Sequence, residues 1–86
     1  MEITRHYIDR YFERVLNPKL PATNYNNLKQ IVRKDMDIRM CNRQKSNLLF
    51  ISGSGSRAKT PMGSEHSVVT QDNTAITVLF NNMNYK

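Results

Sequence analysis

The chain is 86 residues long, with 13 Lys and Arg against 7 Asp and Glu for a net charge of +6, and holds three glycines, three prolines and one cysteine. That length suits one domain burying about 60–65% of its unfolded surface, leaving no core for a second unit, and the composition excludes collagen-like and low-complexity chains. The lone Cys41 excludes an internal disulfide, no apolar run nears the roughly 20 residues of a membrane helix, and Glu2, Arg5, His6, Asp9 and Arg10 interrupt any secretory leader; a soluble intracellular protein, cytoplasmic or nuclear, is expected.

The spacing of Ile3, Tyr7, Ile8, Tyr11, Phe12 and Val15 predicts an amphipathic helix over 3–16, with Arg5, His6, Asp9, Arg10, Glu13 and Arg14 on its polar side. Asn17-Pro18 ends it, since the residue before a proline avoids helical geometry. Pro18 to Thr23 forms a stiff connector. A second helix over 24–34, capped by Thr23 or Asn24, turns Leu28, Ile31 and Val32 inward with Tyr25 behind them.

Carried on to Met40, that helix would put Asp35 and Arg39 among apolar positions. A strand over 35–41 instead alternates cleanly, with Met36, Ile38 and Met40 on one face. The polar run Cys41 to Ser46 then turns the chain into a second strand over 47–52, built on Leu48-Leu49-Phe50-Ile51. A flexible Gly/Ser loop occupies 53–64. Strands over 65–71 and 75–81 follow, joined at Asp72-Asn73, whose residues tolerate left-handed geometry. The tail from Asn81 is expected to fray.

The fold class expected is therefore α+β: two N-terminal amphipathic helices packed on a four-stranded antiparallel sheet, in two layers. The continuous apolar runs at 48–51 and 75–80 mark these two strands as the central ones, or as strands covered on both faces by a partner or a second copy.

Charge carries the functional expectation. Between Lys29 and Lys59 lie Lys29, Arg33, Lys34, Arg39, Arg43, Lys45, Arg57 and Lys59, against Asp35 and Asp37 alone. Such a field favours nucleic acid, anionic lipid or an acidic protein surface, and of these no membrane partner is expected. The stretch Gly53 to Gly63 (GSGSRAKTPMG) adds glycines that free amides to face an anion. It resembles a degraded phosphate-binding loop, with Lys59 and Thr60 in the lysine and threonine positions. Ala58 stands where a second glycine belongs, however, and Pro61 opposes the helix that should follow.

The candidate surface for a DNA or RNA backbone combines Arg33 and Lys34 at the end of the second helix, Arg43 and Lys45 in the first turn, and Arg57 and Lys59 in the glycine loop. Ser54 and Ser56 serve as donors. Tyr25 and Tyr85 are the candidate exposed rings for stacking on bases. No acid, base or nucleophile constellation is evident: His6 and His66 stand apart, and Asp9 and Glu13 sit among arginines. One cysteine and two histidines lack zinc-ligand spacing. No enzyme, metal or cofactor is expected. The reading is a small nucleic-acid-associated protein contacting phosphates. The rival is a protein-interaction module (an adaptor, inhibitor or assembly subunit) that binds an acidic partner or self-associates through its apolar strands.

Overall fold

The computed structural model describes residues 1–17, 19–53 and 55–83. Pro18, Ser54 and Tyr85, each singled out above, lie outside them. Among the described residues, three helices and a four-stranded mixed sheet make up the fold. They run β1 (Glu2–Ile3), α1 (Arg5–Tyr11) with a π-helical turn (Phe12–Leu16), α2 (Tyr25–Arg39), α3 (Asn42–Ser52), β2 (Ala58–Met62), β3 (His66–Gln71) and β4 (Thr74–Phe80). The sheet order is β1-β4-β3-β2, antiparallel except for β1, which runs parallel to β4. The all-antiparallel sheet under two helices is thereby corrected, at four points.

The helix expected from residue 3 starts later. Ile3 is a strand residue opposite Ala75, and Thr4 caps α1 by accepting from the Tyr7 amide at 3.0 Å. The Thr4 amide donates to the Ala75 carbonyl, 71 residues away, which ties the chain start to the sheet. At its far end the helix widens into the π turn and stops at Asn17, which takes left-handed geometry.

The strand expected over 35–41 is instead the end of α2, which closes at Arg39 with Met40 as its C-cap, followed by Cys41 as the N-cap of α3. The two residues that argued against a helix are each other's partners. Arg39 donates to Asp35 at 2.5 Å across one turn, and the Tyr11 hydroxyl donates to the same carboxylate oxygen at 2.5 Å. Met36 and Met40 are buried one turn apart, whereas Ile38 is 79% exposed, so the burial follows the helical period.

The strand expected over 47–52 is helix α3. Leu48 alone of the apolar run reaches the core, while Leu49 and Phe50 are 68% and 84% exposed. Gln44 holds this helix in place. Its Oε1 accepts from the Cys41 and Gly63 amides at 3.2 and 3.0 Å, and its Nε2 donates to the Gly63 carbonyl at 3.0 Å. Self-association through a central strand at 47–52 therefore has no basis.

The glycine loop, last of the four, is shorter than expected, because Ala58–Met62 pairs with β3 as an edge strand. Pro61 is tolerated there because an edge strand has one side with no ladder to complete. β3 and β4 fall where the alternation put them. Asp72 and Asn73 both take positive φ (53° and 61°) in the two-residue turn between them. Asn81 donates to the Glu65 and Ser64 carbonyls and Met83 to the Phe80 carbonyl, so the described part of the tail is tied down rather than frayed.

One face of the sheet carries Met62, Val68, Ala75 and Val78 into a core with Tyr7, Ile8, Tyr11, Phe12, Leu28 and Val32. The alternation turns Lys59, Ser67, Val69 and Leu79 to the other face. The chain after β4 folds back over that second face: Ser67 donates to Asn81 Oδ1 at 2.7 Å, and Lys59 to the Met83 carbonyl at 3.4 Å. Among the described residues no helix is long and apolar enough to cross a membrane.

Candidate nucleic-acid interface

The six cations expected to form one surface fall into two groups, on opposite sides of the sheet. Arg33, Lys34, Arg43 and Lys45 stand on α2 and α3. Arg33 and Lys45 meet across a groove between these helices, where Lys45 is paired with Asp37 at 2.8 Å; Lys34 borders a different hollow, with Pro21 and Ile31. Arg43 is exposed near the start of α3. Arg57 and Lys59 lie at the β2 border of the second sheet face. Arg57 donates to the Gln71 side chain at 3.1 and 3.2 Å. Ser56 is exposed beside it, and Ser54 is not described.

The phosphate-loop resemblance also dissolves in the geometry. Lys59 and Thr60 are neighbours on a strand, so they point to opposite faces, and Thr60 is fully buried. Tyr25 is not a free stacking ring: its hydroxyl donates to the Ile3 carbonyl at 2.6 Å, and Lys29 lies 5.1 Å from the ring centre.

A basic row that the sequence reading passed over emerges at the other edge of the sheet. α1 buries Tyr7, Ile8 and Tyr11, which leaves His6, Arg10 and Arg14 one above another on its flank at i, i+4 and i+8. Together with Ile76, Thr77 and Leu79 of β4 they line a cleft of about 370 Å³. The cleft exists because β1 is two residues long and covers only Thr74 and Ala75 of β4. Beyond them the β4 edge pairs with no further strand among the described residues, and a bulge leaves Ile76 without a partner on β3.

Arg14 meets that edge directly, donating to the Val78 carbonyl at 2.7 Å, and the π turn sets the Arg14 carbonyl 3.2 Å from His66 Nε2. A guanidinium has five N–H donors, so Arg14 keeps most of its fork for another acceptor. Arg10 pairs with Glu13 at 2.7 Å, and Arg5 with Asp9 at 3.2 Å. Exposed pairs of this kind contribute about 0–1 kcal/mol, less than a phosphate would offer the same arginine. The signal was present in the sequence as the spacing His6-x3-Arg10-x3-Arg14, but nothing local distinguishes such a row from an ordinary solvated helix face.

The arrangement can neutralise and orient an anion. Among the described residues no group of three or more His, Cys, Asp or Glu side chains could hold a metal. No family model, curated protein or solved structure matches this chain.

Proposed function

We propose that this protein binds nucleic acid through its phosphate backbone, as a binding protein rather than an enzyme. The single observation that carries the reading is the cleft shared by His6, Arg10 and Arg14 at the open edge of β4. Arg57 and Lys59, at the β2 border of the same sheet, supply a second cationic margin about two strand spacings, or roughly 10 Å, away. Arg10 and Arg14 contact phosphates, and Thr77 and His6 add hydrogen-bond capacity beside them. The net charge of +6 provides the long-range attraction. The lone cysteine fits an intracellular, reducing setting.

The test is fluorescence anisotropy with labelled single-stranded RNA and DNA oligonucleotides over a salt series. Binding must weaken with salt, and the double variant Arg10→Gln/Arg14→Gln must lower the log–log slope by about 1.4–1.8, or about 0.7–0.9 for each phosphate that is no longer neutralised. Affinity no tighter than that of an unrelated protein of equal charge overturns the reading.

A further inference from the structure

The cleft between α1 and β4 carries more than charge. His6 is exposed on its α1 wall, and Ile76 is half-buried on its β4 wall. Ile76 is the residue that the β3–β4 bulge leaves without a partner, and a bulge at a sheet edge re-aims the side chain it carries. Cations, an aromatic ring and an aliphatic side chain therefore stand within one cleft. On the basis of the phosphate binding set out above, we propose that this cleft holds one unpaired nucleotide of a single strand. Its base lies between the His6 ring and Ile76, and its flanking phosphates lie on Arg10 and Arg14.

Surface chemistry and size both select a single strand over a duplex. Base faces in a duplex are stacked on one another, and only base edges show in the grooves. A duplex laid on Arg10 and Arg14 would thus leave the His6 ring and Ile76 in water, whereas an unpaired base covers both. The cleft volume of about 370 Å³ lies within the range of about 300–1,000 Å³ usual for sites that take a small molecule, which suits one nucleotide. Arg10 turns one guanidinium nitrogen to Glu13, and among the described residues no carboxylate lines the cleft. Charge by itself points the other way, because a duplex packs one charge into every ~1.7 Å of its axis, denser than a single strand. A preference for the single strand therefore cannot come from the net charge of +6.

The experiment compares three labelled probes of equal phosphate number by fluorescence anisotropy: a single strand of mixed sequence, a duplex, and an abasic single strand of sugar and phosphate alone. The base-bearing strand should bind at least about tenfold more tightly than either of the others. His6→Gln, which removes the ring from an exposed helix position, should shrink its advantage over the abasic strand to about twofold. On the unaltered protein, the base-bearing strand should shift the Ile76 methyl and His6 ring resonances through ring currents, and the abasic strand should not. A duplex bound as tightly as the single strand, or equal binding of the base-bearing and abasic strands, overturns the unpaired-nucleotide site and leaves phosphate binding standing. An advantage indifferent to His6→Gln, with no shift at Ile76, puts the base elsewhere and overturns it as well. Binding of every probe no tighter than that of an unrelated protein of equal charge defeats this site and the phosphate reading together.

Discussion

A guanidinium nitrogen of Arg14 donates to the main-chain carbonyl of Val78 at 2.7 Å, across 64 residues of sequence. The contact satisfies a carbonyl on the open edge of β4 and holds the cation at the mouth of the cleft. Arg14→Leu should therefore cost about 1–2 kcal/mol, read from the urea midpoint, because it strips a charged hydrogen bond from the edge. It should also raise self-association at that edge, visible in sedimentation. Arg10→Gln, which removes only an exposed pair with Glu13, should change stability by less than about 1 kcal/mol. Equal effects from the two would show that the Val78 contact contributes nothing.

The last part of α2 offers a direct test of helical against strand packing. Met36→Ala and Met40→Ala should each cost about 2–5 kcal/mol, since both side chains are buried in the core. Ile38→Lys, between them and 79% exposed, should stay within about 0.5 kcal/mol of the parent. Thermal melts of the three variants decide it: a strand with Met36, Ile38 and Met40 on one face would make all three costly.

Alkaline pH should unfold the protein through its core phenols. Burial raises the Tyr7 pKa well above its ordinary value of 10.0, with the nearby Asp35 charge adding to it. Burial likewise raises that of Tyr11, followed by its hydrogen bond to Asp35. The folded state thus keeps protons that the unfolded state releases above pH 10, and stability falls as pH rises past that point. The slope from Tyr7 alone is about 1.4 kcal/mol per pH unit. Urea midpoints between about pH 8 and pH 11 should show the decline, and Tyr7→Phe should flatten it. A flat profile for the unaltered protein would contradict the linkage.

Thr60 and Thr70 carry buried hydroxyls with no hydrogen-bond partner among the described residues. Both sit on the sheet face that meets the core, where valine has nearly the same shape without the orphaned oxygen. Thr70→Val should therefore stabilise by about 1 kcal/mol, measured by urea or thermal unfolding. Destabilisation instead would mean that this hydroxyl is satisfied in solution.

Local pattern was enough for the β3–β4 hairpin and for the inward face of α1. Alternating β-branched residues flank Asp72-Asn73, and Tyr7, Ile8 and Tyr11 recur at helical spacing, so the signal and the structure it specifies lie within a few residues of each other. The strand reading of 35–41 failed for the opposite reason. Asp35 looked misplaced in a helix because Tyr11, which receives it, lies 24 residues upstream. The apolar run at 48–51 read as a strand because neither the Gln44–Gly63 clip nor the exposure of Leu49 and Phe50 is written in the run itself.

The candidate site divides in the same way. The sequence by itself determined a positive excess and a polar helix flank holding His6, Arg10 and Arg14. Tertiary structure decided that β1 would be too short to cover β4, and so where that flank meets an open edge. It also sent Arg57 and Lys59 to one side of the sheet and Arg33 and Lys45 to the other. Charge and periodicity are properties of a segment, whereas the side of a sheet on which a cation emerges depends on strand register and helix docking. Both are decided by contacts between residues remote in the chain.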